Sequence, residues 1–320
     1  MLISIVTSRN SPGASTTALA LTKAWPRPAI LAECDPRGGD VQWGLAQGAN
    51  VGAAGLLRLQ VAARRRSMSE SVWEEVVALP GEDGQEIPKY WLPGLLSPRE
   101  AGSIDWVGVA RALGAAGVDV IADCGTVFGD PVRAPRAIWN TADVVALVVR
   151  STMLGTRIGQ IAAAALQSDL MTGGRGVDLL GAVIVHAPGG YPTNQVAAEL
   201  GDTALLGELP DDPAAAQQLA GVHPIGKKIA RSPLMKAAAK LAHELGSRGQ
   251  SVEAERQDPA VVMPPSVFPS PTDIPLPTDV PPRVSASLRM ELRPGAETKT
   301  LAGGVPRIAA PPNPSEGAPR

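Results

Sequence analysis

The stretch Thr7-Ser8-Arg9-Asn10-Ser11-Pro12-Gly13-Ala14-Ser15-Thr16-Thr17 follows an apolar run, Leu2 to Val6, and opens an apolar helical pattern, Ala18 to Ala24. Small residues between a strand and a helix let backbone N–H groups wrap phosphate oxygens. Pro12-Gly13-Ala14-Ser15 supplies them, although Pro12 lacks an N–H. Thr16 has the place of a hydroxyl that would position Mg²⁺, and Thr17 enters a helix whose amino end favours an anion. The lysine expected immediately before that hydroxyl is absent, and Ser15 stands there. A charged hydrogen bond is worth about 1.5–3 kcal/mol, so its loss weakens phosphate binding by one to two powers of ten unless another cation replaces it. Arg9 is the nearest substitute in sequence. By itself the stretch fits equally a ligand-free turn.

Two downstream segments bear on that choice. Ile30-Leu31-Ala32-Glu33-Cys34-Asp35-Pro36-Arg37-Gly38-Gly39-Asp40 is a strand pattern ending in acids and a Pro/Gly turn. Val118-Asp119-Val120-Ile121-Ala122-Asp123-Cys124-Gly125 is a second, ending in Asp123. Carboxylates at the carboxyl ends of strands beside a phosphate loop can hold Mg²⁺ through water and orient an attacking water. Asp35 and Asp123 are therefore the candidate catalytic residues, and Thr16, Asp35 and Asp123 the candidate metal group. Ligand crevices of open α/β sheets lie at those strand ends.

Outward from this site the chain alternates between two patterns. Leu2–Val6, Ala29–Ala32, Val118–Ala122, Val144–Val149 and Leu179–Val185 are short apolar runs, as in strands buried on both faces. Thr17–Ala24, Trp106–Leu113, Ile158–Gln167, Asn194–Leu200 and Leu234–Leu245 have helical spacing. The alternation predicts an α/β fold, a three-layer, doubly wound, mainly parallel sheet. Lys89–Leu92, closing on Pro93-Gly94, is a weaker strand candidate. From about Gly246 the composition changes, and roughly half of the 31 prolines follow. The expectation is one domain over residues 1–247 and a proline-rich, disordered tail over 248–320. Within the tail, Val284–Arg293 alternates apolar and polar residues, which suits either a strand added to a partner's sheet edge or plain linker.

Composition bounds the function. The chain has 320 residues, 44% of them hydrophobic, and a net charge of −2, so no broad basic surface points to nucleic acid. Its two cysteines, Cys34 and Cys124, have no metal-ligand spacing and read as small buried residues. His186, His223 and His243 are too scattered for a metal site. No uninterrupted apolar window reaches the roughly 18 residues of a membrane span, and the start carries no basic leader. A cytoplasmic protein is expected, with membrane contact at most peripheral. Arg64-Arg65-Arg66 after Leu56–Ala63 reads as a solvated basic helix end or, alternatively, a contact for phosphate or acidic lipid.

The residues quoted so far resemble the MinD/ParA-like P-loop ATPases, the SIMIBI-type group with a deviant Walker A motif, whose loop reads K-G-G-x-G-K-[ST]-T. Laid on this sequence without gaps, the two lysines of that motif fall on Asn10 and Ser15, and the final pair on Thr16 and Thr17. Glu33-Cys34-Asp35-Pro36-Arg37-Gly38 is similar to D-x-D-P-Q-G, and Asp119 with Asp123 to the D-x-x-x-D of the Walker B strand. Gly181–His186 resembles the G-V-V-x-N strand, with His186 where a base-contacting Asn is usual. Leu206-Gly207-Glu208-Leu209-Pro210-Asp211-Asp212 resembles the G-x-I-P-x-D loop near the base. The resemblance spans residues 1–247. It implies ATP or ADP with Mg²⁺ as ligand, held by Arg9, Asn10, Ser11, Pro12, Gly13, Ala14, Ser15, Thr16 and Thr17, with His186, Pro210 and Asp211 at the base. With both lysines replaced it implies weak hydrolysis and a doubtful ATP-sandwiched homodimer. The form of the loop is similar to a divergent actinobacterial branch whose members accompany Tad/CpaE-type secretion or pilus ATPases, which implies protein partners. Three functions follow: a weakly hydrolysing or non-hydrolysing adenine-nucleotide switch, a scaffold without nucleotide, or an active positioning ATPase on DNA or membrane.

Overall fold

The central strand explains the architecture. In β1 (Leu2–Thr7) every residue is buried, and side chains alternate between two separate cores. Leu2 and Val6 enter one, Ile3 and Ile5 the other. A strand buried on both faces needs helices above and below it. The computed structural model describes residues 1–8, 13–46, 48, 55–62, 68–79, 87–128, 135–223, 226 and 229–256, all within one compact unit, Met1–Val280.

The other strands are β2 (Ala29–Glu33), β3 (Val77–Ala78), β4 (Lys89–Leu92), β5 (Asp119–Thr126), β6 (Val144–Arg150), β7 (Leu180–Val185) and β8 (Ala204–Leu209). They pair in the order β3-β4-β2-β5-β1-β6-β7-β8. Every pairing is parallel except that of β3 with β4. The helices are α1 (Ala14–Ala24), α2 (Asp40–Trp43), α3 (Leu56–Ala62), α4 (Met68–Glu75), α5 (Trp106–Gly114), α6 (Arg136–Thr141), α7 (Met153–Thr172), α8 (Thr193–Glu199), α9 (Pro213–Leu219) and α10 (Pro233–Arg256). Residues of α3 to α8 cover one face of the sheet. Residues of α1, α2, α9 and α10 cover the other. The expected three-layer, mainly parallel α/β fold is what the chain forms.

The deviations have local causes. β8 was read as part of a loop because only Leu206 and Leu209 of its six residues are buried, and Gly207-Glu208 interrupts the apolar run. It is an edge strand, paired on one side with β7. α7 begins five positions before its expected start, because Thr152 caps it by accepting from Gly155 N at 3.0 Å. Its first residues, Met153 and Leu154, are exposed and so escape an apolar-face reading. α10 runs past the expected boundary at 247 to Arg256. Arg64–Arg66 and Val284–Arg293, with the tail beyond residue 256, lie outside the described residues.

The amino end of β5 is fastened by Asp119. Its carboxylate accepts from Trp25 Nε1 at 2.8 Å and Arg27 Nε at 2.8 Å, and Arg27 Nη2 lies 2.7 Å away. Burial alone would raise this carboxyl. Trp25, the chain's amino group and Arg27 instead hold it below the usual carboxylate range. Cys34 and Cys124 are free and fully buried at the opposite ends of β2 and β5, and burial pushes both thiols up.

Candidate phosphate site at the carboxyl end of the sheet

α1 starts at Gly13, whose φ of 98° lies in the left-handed region. A Cβ there would meet nothing within 4 Å, so backbone conformation rather than space calls for glycine. From this turn α1 opens on a cavity of about 870 Å³. Gly13, Ala14, Ser15, Thr16 and Thr17 line it, with Asp35 and Arg37 from the loop after β2. Arg150 at the end of β6 and Pro210 and Asp211 after β8 also line it. The cavity therefore lies outside the carboxyl ends of the strands, where the alternation of elements places a ligand crevice.

Beneath the loop, Asp123 is buried. It accepts from the Ser15 side chain and, at 3.1 Å, from Gly125 N. The residue in the lysine's place is thus tied to the carboxylate of β5. Desolvation, opposed by Ser15 and reinforced by the charge of Asp35, raises the Asp123 carboxyl to about 7. Asp35 is its neighbour: a Cβ on Gly125 would fall 2.2 Å from Asp35 Oδ2, and Gly125 has a φ of +65°. Only glycine lets the two strand ends meet this closely.

Each strand-end acid has partners within the chain. Glu33 Oε1 accepts from Val41 N at 2.7 Å, and its Oε2 from Trp91 Nε1 at 2.7 Å and Gly94 N at 3.2 Å. Burial still leaves the Glu33 carboxyl above its ordinary value. Glu33 fastens the β2–α2 loop to the end of β4 and does not line the cavity. Asp35 accepts from Arg37 N and from the Arg37 guanidinium.

The sequence expectations fare unequally in space. Gly13 to Thr17, Asp35, Pro210 and Asp211 gather around one cavity, and Asp123 reaches Ser15 from below. Arg9, Asn10, Ser11 and Pro12 lie outside the described residues. His186 is not in the cavity wall; its Nε2 lies 3.1 Å from Glu208 Oε2, in a cluster with Thr193. Asp212, next to the expected Asp211, is a structural cap that accepts from Ala215 N and Leu234 N. Arg37, Arg150 and Trp43 are among the cavity residues that escaped the sequence reading. Arg37 stands where the resembled motif has Gln, which is the signal that marked it. Arg150 follows an apolar strand and pairs with Asp211 at 3.0 Å across 61 positions, which no local pattern encodes. Trp43, 64% exposed, lines the cavity from α2.

No protein-family model matches the chain, and no curated protein matches it in sequence. Solved structures do match. The septum site-determining protein MinD of Pyrococcus horikoshii OT3, complexed with Mg-ADP, is 18% identical at a TM-score of 0.57, covering 78% of this chain and 96% of that one. The ParA family ATPase of Chlorobium tepidum TLS is 14% identical at 0.57, covering 76% and 98%. The chain has the MinD/ParA fold. A third match is the MinC:MinD cell division protein complex of Aquifex aeolicus, 14% identical at 0.56, covering 77% and 96%. The MinD/ParA fold thus extends over nearly the whole of each matched chain, while the low identity leaves the site to be argued from its own residues.

Proposed function

We propose that residues 1–247 bind an adenine nucleotide, ATP or ADP, and act as a switch with little or no hydrolysis that serves a larger protein assembly. The observation that carries this reading is the Gly13-led start of α1 opening into the strand-end cavity. Backbone amides at a helix amino end hold phosphate without help from a lysine. MinD of Pyrococcus horikoshii was solved with Mg-ADP and that of Aquifex aeolicus with MinC, which supports a nucleotide and a protein partner for this fold. A secretion or pilus ATPase assembly is the kind of partner we favour. Among the described residues no helix is long and apolar enough to cross a membrane, in keeping with a cytoplasmic switch peripheral to the membrane at most.

Slow chemistry follows from the same residues. Phosphoryl transfer is driven by positioning and by cations that meet developing charge. Ser15 carries no charge. Asp123, raised to about 7 and engaged by Ser15, is a poor acceptor for a metal-bound or attacking water, and Asp35 is engaged by Arg37. The magnesium group expected from the sequence, Thr16, Asp35 and Asp123, therefore fits the ion poorly: the Arg37 guanidinium meets both oxygens of Asp35, and Asp123 accepts from Ser15 and Gly125 N.

Isothermal titration of the purified chain with ATP and ADP tests the reading, with Ser15→Lys beside it. Binding by the native chain, tightened by Ser15→Lys, with ATP turnover at background, is the expected result. Heat traces flat for both proteins would leave a nucleotide-free scaffold as the function.

A further inference from the structure

We propose that Arg37 is the resident cation of this site and that nucleotide phosphate is held through it without a divalent metal ion. The inference rests on the nucleotide reading above and specifies its ion.

The local sequence builds the arrangement. Gly38 N donates to Asp35 O at 3.1 Å, so Asp35-Pro36-Arg37-Gly38 closes as a tight turn with proline at its second position, the place that proline's fixed φ suits. The turn folds Arg37 back onto Asp35. Arg37 N donates to Oδ1 at 2.8 Å, and Nε lies 3.0 Å from Oδ1 and 3.1 Å from Oδ2. Nη2 meets Oδ2 at 2.5 Å. Both oxygens that a metal ion would use are therefore covered by one guanidinium.

The same side chain is 45% exposed and forms part of the cavity wall with Gly13 to Thr17. It thus joins a strand-end carboxylate, Asp35, to the wall of the cavity on which α1 opens. A divalent ion in such a site bridges a protein carboxylate to phosphate oxygens. A guanidinium can bridge the same two partners, because its planar fork matches carboxylate and phosphate alike. The other two acids do not reopen the place. Asp123 faces Ser15 and Gly125 N, and Glu33 is fixed by three donors on the far side of its strand end. The chain has thus lost the lysine at position 15 and acquired a fixed positive charge two residues after its first cavity acid.

The test is a titration of the full chain with ADP, once in excess EDTA and once in millimolar Mg²⁺, on the native protein, Arg37→Gln and Arg37→Lys. The inference expects equal native affinity in both buffers. It expects a loss of roughly ten- to a hundredfold in Arg37→Gln, the worth of a charge-assisted hydrogen bond, and a smaller loss in Arg37→Lys. Circular dichroism melts establish that the variants fold, and Arg37→Lys, which keeps the charge beside Asp35, carries the comparison should the glutamine variant not fold. A second readout needs no nucleotide. Mn²⁺ followed by electron paramagnetic resonance should bind Arg37→Gln, whose Asp35 is released, more tightly than the native chain. Native binding that requires Mg²⁺, or an Arg37→Gln that binds ADP as well as the native chain in EDTA, would overturn the inference and leave the nucleotide reading standing. Absence of ADP binding in every protein and buffer, Ser15→Lys included, would instead remove the nucleotide reading and this inference with it.

Discussion

Asp119 and Asp123 stand on the same strand, one at each end, and the fold uses them in opposite ways. Asp119, at the amino end, receives an indole, a guanidinium and the chain's amino group, and its carboxyl is held low. Asp123, at the carboxyl end, receives among the described residues a hydroxyl and an amide, lies buried near another acid, and is raised to about 7. Charge on Asp119 stabilises the fold; charge on Asp123 opposes it. One end of the sheet is a fastening. The other stores unfavourable burial beside a cavity, which is where functional groups concentrate. A motif that spells both residues with the same letter cannot express this.

The contrast is broken most directly at Asp119. Asp119→Ala leaves Trp25 Nε1 buried without an acceptor, at a cost of about 1–3 kcal/mol, and adds to that by taking the carboxylate from Arg27 and from the chain's amino group. Asp119→Asn restores an acceptor for the indole and should recover part of that. Urea melts at neutral pH measure both, and an alanine variant as stable as the native chain would show that the amino end is not a fastening. The pH profile carries the sign. The Asp119 carboxyl is depressed in the folded state, so its contribution is present above the ordinary carboxylate value and lost as pH falls through the folded one.

Asp123 should behave in reverse. Its folded value of about 7 lies above the ordinary 3.8, so between the two the folded state binds more protons than the unfolded chain. Stability therefore falls as pH rises from about 4 to about 7 and levels off above that. An Asn at this position can keep the bonds from Ser15 and Gly125 and has no charge to bury. Asp123→Asn should match the native chain at about pH 4 and exceed it by on the order of 2–4 kcal/mol at about pH 8. Equal stabilities at both pH values would place the Asp123 carboxyl in the ordinary range and end the contrast.

The two ends were also unequally legible. Strands with both faces covered announce themselves, because each residue of Leu2–Val6 or Val144–Val149 must be apolar whichever way it points. The edge strand β8 has one covered side and exposes Leu205 and Glu208, so its run is broken. That the start of α1 and Asp35 share one cavity was readable from spacing, since small residues and carboxylates follow strands at fixed offsets along the chain. Their partners were not. The pairing of Arg37 with Asp35 depends on how one turn closes, and that of Asp119 with Trp25 depends on the meeting of distant segments. Glu33 shows the cost of reading letters alone. It occupies an acidic position of the resembled motif, yet Trp91 and two amides turn it into a brace behind the site.

Arg150 gives the smallest expected effect and the finest distinction. Its pair with Asp211 lies in the cavity wall, with side chains 36% and 27% exposed, so water screens it and the pair is worth about 0–1 kcal/mol to the fold. Arg150→Ala should leave the urea midpoint almost where it was. The same residue lines the cavity with Gly13 to Thr17, and its loss should weaken nucleotide binding by about two- to fivefold, the affinity equivalent of an exposed charge contact. The pattern of the two readouts matters more than either size. A small binding loss without a stability loss puts Arg150 with the ligand-facing end of the molecule. The reverse, a stability loss above about 1 kcal/mol with unchanged binding, would make the Arg150–Asp211 pair a second fastening, and the division between the two ends of the sheet would no longer follow the strand direction.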